Sequence, residues 1–456
     1  MPPKSKKRRL NHAANGSAAG ASAAQPPDRA TWPGWSEIES EPAFFNVMLQ
    51  EMGVNGAKVQ EVLGLDEELL AILPKPVYAL IFLFRYRETD KDKQEESCPD
   101  HVWFANQIPE FACGTVTLLN IVNNVPDLNI GPHLQSFKDF TTDLDPISRG
   151  DAITSFDFVR RIHNSFAREQ DMYNVDMHLK KGHANAAKAK KTVAAREARA
   201  AKAAEKAAEA AKHEQVASES TPIRKSARAP KPRKMNDGIV PLKDEEDEGF
   251  HFMSYLPING EVWKLDGLDR FPQNLGTYSD GDWLDIAVPV LQARMAQYQE
   301  GQIEFSLMAV VKDPIIGAKS ELAENMKALQ YVERALDEAN PDWKTFLVEE
   351  PDTALLRHMS LEYGLSIKDT ESAELPKSIK DQLQTTCSED LVRLRQHIIT
   401  SQAGCRAAVR YQMEAEKADT TKAMHRRHDY GQFLRDWLDA LAENDALTPL
   451  IASSKK

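Results

Sequence analysis

Gln107-Ile-Pro-Glu-Phe-Ala-Cys113-Gly-Thr115 leads directly into the apolar run Val116-Thr-Leu-Leu-Asn-Ile-Val122. The Pro and Gly residues mark a turn, and the run after it has the length of a short buried helix, which places Cys113 at the helix start. The thiolate is the reactive form of cysteine, and the unsatisfied N–H groups of a helix N-terminus favour an anion. A side-chain amide six residues upstream can donate to the oxyanion of a tetrahedral intermediate, beside the backbone N–H of Cys113 itself. Cys113 is therefore the candidate nucleophile and Gln107 the candidate oxyanion donor. A buried cysteine ahead of a helix is more often inert core, so the reading requires a base and an orienting acid elsewhere.

Both are found far downstream. Phe250-His-Phe-Met-Ser-Tyr-Leu-Pro-Ile258 and Glu261-Val-Trp-Lys-Leu-Asp266 flank Asn259-Gly260, the favoured dipeptide of a two-residue type I′ hairpin. In that register Met253 opposes Asp266 and His251 opposes Leu268. His251 and Asp266 are then diagonal neighbours on one face, with Cα atoms roughly 7–8 Å apart and side chains in reach of each other. A carboxylate that holds an imidazole in one tautomer completes a nucleophile–base–orienter arrangement.

Taken in chain order, Gln107, Cys113, His251 and Asp266 resemble the active site of the ubiquitin C-terminal hydrolases. The resemblance implies the roles of oxyanion donor, nucleophile, general base and orienting acid respectively. Gly34-Trp-Ser-Glu-Ile-Glu-Ser-Glu-Pro42 resembles that family's opening strand, Leu80-Ile-Phe-Leu-Phe-Arg85 its central strand, and His163-Asn-Ser-Phe-Ala167 the segment entering the loop over the active site. The similarity is greatest to the long-form, proteasome-associated branch, the sibling of the BRCA-associated nuclear hydrolase. It covers roughly residues 33–180 and 248–312 and resumes near the C-terminus. At one position the chain departs from the pattern: where the family commonly has asparagine two residues before the nucleophile, Phe111 stands here. The activity implied is thiol-dependent hydrolysis at the C-terminal glycine of ubiquitin, with no metal or organic cofactor. A catalytically silent ubiquitin-binding scaffold and a chromatin-associated deubiquitinase are the alternatives.

The rest of the chain frames this reading. Helical spacing at Phe44–Met52, a doubly buried strand at Val77–Tyr86, a helical pattern from Asp151 to Phe166 and strands at 250–257, 261–266 and 303–312 predict an α+β, papain-like fold with a central antiparallel sheet. The expected catalytic domain spans 31–312, after a basic tail over 1–30. Lys4-Ser-Lys-Lys-Arg-Arg9 in that tail is a candidate nuclear-localisation signal, so a nuclear and cytoplasmic distribution is expected. No apolar run approaches the roughly 20 residues that span a bilayer, and no membrane association is expected. The four cysteines are widely spaced, without a disulfide or zinc pattern.

Net charge is −12, yet Lys180–Lys234 holds 16 basic and 5 acidic residues, leaving about −23 for everything else. That basic stretch belongs to a segment over 170–248, inserted where the family has its crossover loop. Ala184–Lys212, rich in Ala, Lys and Glu without an apolar stripe, predicts an exposed helix reaching about 40 Å. A long insert at this place would admit folded leaving groups, and its charge would suit nucleic acid or a nucleosome. Residues 313–456 read as a helical extension. Its stripe Phe433, Leu434, Trp437, Leu438 and Leu441 would contact, or support contact with, a helical DEUBAD domain of an activating partner, which the resemblance identifies with the proteasomal ubiquitin receptor or a chromatin-complex subunit.

Overall fold

The computed structural model describes residues 29, 31–85, 95–126, 128–185, 187–188, 190–192, 250–279, 281–296, 305–346, 356–357, 360–385 and 388–454. The expectations for the tail 1–28, for most of Ala184–Lys212 and for the rest of the insert lie outside these residues.

Six antiparallel strands, β1 (Ala57–Glu61), β2 (Val77–Arg85), β3 (Phe250–Ile258), β4 (Glu261–Leu265), β5 (Gln273–Thr277) and β6 (Phe305–Lys312), form one sheet in the order β1-β6-β2-β3-β4-β5. β2 and β3 are central and nearly wholly buried because both sheet faces are covered. Side chains alternate between the faces with the two-residue period of a strand. Ala79, Ile81, Phe252 and Leu256 point into one apolar layer, while Leu80, Phe82, Met253 and Tyr255 point into the other.

The first layer is closed by the helices α1 (Pro42–Met52), α3 (Cys113–Val122), α4 (Gly131–Thr141), α5 (Pro146–Thr154) and α6 (Asp157–Asn164). The second is closed by α2 (Glu67–Ala71) and α8 (Leu284–Met295). The α+β expectation holds, with two corrections. The segment likened to an opening strand, residues 34–42, forms no strand; it runs irregularly until α1 begins at Pro42, whose ring is suited to a first helical turn. The helical pattern from Asp151 to Phe166 is two helices, because the chain breaks at Ser155 and Phe156 and restarts at Asp157.

A helix over 169–185, here α7, leaves the body at the start of the insert. It is not simply an exposed arm. Met172 and Val175 are buried with Trp32 and Ala167, and Phe111 and Leu179 pack on that cluster. Beyond β6 the chain enters α9 (Pro314–Ala339) at once, followed by α10 (Ile367–Ser372), α11 (Lys377–Thr385), α12 (Ser388–Arg427), α13 (Gly431–Glu443) and α14 (Leu447–Ser454). α12 has 40 residues, about 60 Å of helix. Its first half packs on α9. Its second half returns to the catalytic body, where Asp419 and Glu416 accept from Asn46 and Gln50 of α1. The extension is thus tied to the body through the second half of α12.

Candidate active site

Cys113 occupies the first position of α3, after Ala112, which is not itself helical. Close packing fixes that turn: a Cβ on Gly114 would lie 3.2 Å from the Phe45 ring. Phe111 sits in the left-handed region at φ 63°, an unusual conformation for a bulky residue. Its ring meets that of His178 on α7, with centroids 5.4 Å apart. The residue that departs from the family pattern therefore turns the chain into Cys113 and docks the helix that leads into the insert.

The hairpin folds in the expected register. Ser254 opposes Leu265 and Ile258 opposes Glu261, while Asn259 and Gly260 both take positive φ, 50° and 81°, as a type I′ turn requires. His251 near the start of β3 and Asp266 just past β4 are then joined by a 2.6 Å hydrogen bond from imidazole Nε2 to Oδ1. Both are buried, 4% exposed each, so water competes little for the pair. The second hydrogen-bonding partner of the His251 ring is the Cys113 thiol. With Nε2 committed to Asp266, Nδ1 is the nitrogen that faces sulfur. Asp266 Oδ1 also accepts from the Leu268 backbone N–H at 3.0 Å.

Charge in the site follows from this geometry. Burial alone would disfavour an imidazolium, but the Asp266 carboxylate and then Cys113 outweigh it, and the pKa of His251 rises to about 9. Burial likewise opposes ionisation of Asp266, yet His251, Lys264 and the Leu268 N–H hold its carboxyl below the usual carboxylate range. The arrangement is built to carry an imidazolium beside a sulfur at neutral pH.

Gln107 reaches the same place through Gly267. The Gln107 N–H donates to Gly267 O at 2.9 Å. A Cβ on Gly267 would lie 3.0 Å from Gln107 Cβ and 3.5 Å from Val116 on α3. The close approach that glycine permits brings the Asp266 turn, the Gln107 segment and the helix that begins at Cys113 together. Gln107 Oε1 is buried without a partner among the described residues. All four residues singled out from the sequence therefore converge, although 159 positions separate Gln107 from Asp266.

Three supporting groups were not among the candidate site residues. His163 is buried between Thr115 Oγ1, 2.7 Å from Nδ1, and Ser36 O, 2.6 Å from Nε2. Nε2–H donates to the carbonyl and Nδ1 accepts from Thr115, and burial lowers the pKa of this ring to about 4. It staples the first turn of α3 to the segment after Trp35. Lys264 and Asn106 brace the Asp266 turn from behind. No group of three or more His, Cys, Asp or Glu residues that could hold a metal is present among the described residues, and none of their helices is long and apolar enough to cross a membrane.

The description "Ubiquitin carboxyl-terminal hydrolase, family 1" matches residues 35–296, more than half of the chain. Ubiquitin carboxyl-terminal hydrolase ubh-4 of Caenorhabditis elegans is 30% identical over 298 residues, covering 65% of this chain and 71% of that protein. Isozyme L5 of Dictyostelium discoideum is 26% identical over 426 residues, 92% of this chain and 95% of that one. Ubiquitin carboxyl-terminal hydrolase BAP1 of Xenopus tropicalis is 27% identical over 366 residues, 76% of this chain and 43% of its own length.

Proposed function

The chain belongs to the ubiquitin carboxyl-terminal hydrolase family 1, and from that premise we propose that Cys113, His251, Asp266 and Gln107 carry its deubiquitinase chemistry. The protein is a cysteine-type hydrolase of ubiquitin conjugates. The observation supporting the residue assignment is the buried 2.6 Å Asp266–His251 bond, whose ring turns its other nitrogen to the thiol at the head of α3.

His251 takes the proton of Cys113, and the sulfur attacks the carbonyl carbon of ubiquitin's terminal glycine. The C–S bond forms as the carbonyl π pair moves onto oxygen, where the Gln107 amide and the Cys113 backbone N–H donate to it. Collapse of this intermediate breaks the C–N bond, and the leaving amine takes the proton from His251. Water, deprotonated by His251, then attacks the thioester and releases ubiquitin and the thiol. Asp266 holds the ring in one tautomer through both halves.

Ubiquitin bearing a C-terminal vinyl methyl ester tests the assignment. Full-length protein should gain the mass of one ubiquitin, and Cys113→Ala should gain none. Labelling that persists in Cys113→Ala would move the nucleophile elsewhere. No labelling of the wild type would favour a scaffold role.

The partner assignment is also ours. On α13, Phe433, Leu434, Trp437 and Leu438 are all exposed, an apolar stripe at helical spacing suited to a helical DEUBAD-type partner. The basic residues of 1–9 support nuclear entry, which alanine replacement of Lys6–Arg9 tests by localisation. The basic charge of 180–234 is the ground for contact with nucleic acid. Deleting 184–234 should then weaken salt-dependent DNA binding.

A further inference from the structure

Asp266 lies beyond the last paired residue of β4, so the ladder that positions Lys264 and Leu265 no longer holds it. The turn over 266–269 is instead held from outside. Asn106 Nδ2 donates to Asp269 O at 2.6 Å and to Gly267 O at 3.3 Å. The next residue, Gln107, donates its N–H to the same Gly267 O. Inside the turn, Asp269 N–H closes on Asp266 O at 3.0 Å, and Lys264 Nζ meets Asp269 Oδ2 at 3.0 Å.

Asn106 itself has no freedom to move. Its N–H donates to Pro146 O, and Gly150 of α5 packs so closely that a Cβ there would lie 2.3 Å from Asn106 O. The side chain is buried, and Oδ1 has no partner among the described residues. Burying that acceptor bare is costly, while Nδ2 supplies donors to two carbonyls of one turn. A carboxylate of the same size would face those carbonyls with acceptors only, and an apolar side chain would remove the Asn106 donor from both.

We infer that Asn106 is a positioning residue for the hydrolysis, fixing the Asp266 turn against the Gln107 segment so that the imidazole keeps one relation to Cys113. The inference rests on the roles proposed above for those residues. Asn106 touches no reacting atom; it acts through Asp266. Loss of its donors frees the turn to drift, and displacements of about 1 Å near reacting groups cost on the order of 10²-fold in rate.

The test uses full-length Asn106→Leu, and Asn106→Asp as a second variant of equal size, each in the wild-type and Asp266→Asn backgrounds. Three quantities are read: kcat and KM on ubiquitin carrying a C-terminal fluorogenic amide, the His251 ring titration by NMR, and the thermal midpoint. In the wild-type background kcat should fall about 10- to 100-fold with KM within about 2-fold, and the His251 titration should move down towards that of an unpaired imidazole. In Asp266→Asn the same substitution should change kcat less than about 2-fold, because the group it serves has already been lost. A folded variant with wild-type kcat and titration would overturn the inference. So would an equal loss of kcat in both backgrounds, which marks a purely structural residue. Should Asn106→Leu not fold, Asn106→Asp is judged by the same outcomes. An inert, unlabelled wild type would sink the site assignment instead, so the two failures are distinct.

Discussion

Arg426 Nη2 lies 3.0 Å from Asp171 Oδ2, tying the last turn of α12 to the first turn of α7. The same guanidinium reaches Glu39 through Nε and the Phe166 carbonyl through Nη1. One buried cation therefore joins the start of the catalytic body, the base of the insert and the C-terminal extension. Next to it, Glu169 N–H donates to Asp429, so α13 starts from the point where α7 starts.

Replacing Arg426 with methionine should destabilise the protein by about 2–4 kcal/mol, because Asp171 and the Phe166 carbonyl lose a partner that is only 9% exposed. The lower part of that range reflects Glu39, whose side chain is half exposed and can be rehydrated. Denaturant unfolding gives the magnitude. Hydrogen exchange should quicken in both 169–180 and 428–443, whereas quickening in only one would separate the two helices.

Gln107→Ala should lower kcat by about 10²–10³-fold with little change in KM, since the oxyanion exists only after attack. Labelling by ubiquitin with a C-terminal electrophile should persist in this variant at a reduced rate. An unchanged kcat would remove Gln107 from the oxyanion site.

The two buried histidines give stability opposite slopes. His163 has a folded pKa of about 4, below its unfolded value of 6.5. Its contribution is present above 6.5 and is lost as pH falls towards 4, about 2 kcal/mol by pH 5. His251 is raised to about 9. Its contribution is complete below 6.5 and disappears as pH rises through 9, on the order of 1–3 kcal/mol. Unfolding free energies across pH 5–9 should peak near 6.5–7. His163→Gln should flatten only the acid side and Asp266→Asn only the alkaline side; any other pairing would contradict the assignment.

Trp437→Asp should leave the isolated enzyme's stability within about 0.5 kcal/mol, because Trp437 is 51% exposed and lies outside every core cluster. Binding of a DEUBAD-type domain should be lost. Intact binding together with intact activity would remove the α13 stripe from the proposed interface.

Much of the site could be read before folding because its signals are local. Asn259-Gly260 dictates one hairpin register, and that register determines the separation of His251 and Asp266 within sixteen residues of chain. The turn into Val116–Val122 likewise puts Cys113 on a helix start. By contrast, the break at Ser155–Phe156 was hidden because apolar spacing continues across two helices in nearly one phase. The stretch after Gly34 forms no strand; Trp35 meets the His163 ring of α6 edge-on, and Ile38 is buried in the same apolar layer.

The sequence by itself determined the candidate site: four residue types whose order and local spacing resemble a family's nucleophile, base, orienting acid and amide donor. Only the tertiary structure decided what holds them together. Asn106, Lys264, His163 and Arg426 act across 127 to 387 positions of chain, or behind a turn that no ladder constrains. No periodicity records such contacts, because each side chain is polar and its burial depends on partners that arrive only when the sheet, α3 and α12 have packed. A buried donor or cation is tolerated only where the fold supplies its acceptors, and that supply is a property of the assembled structure.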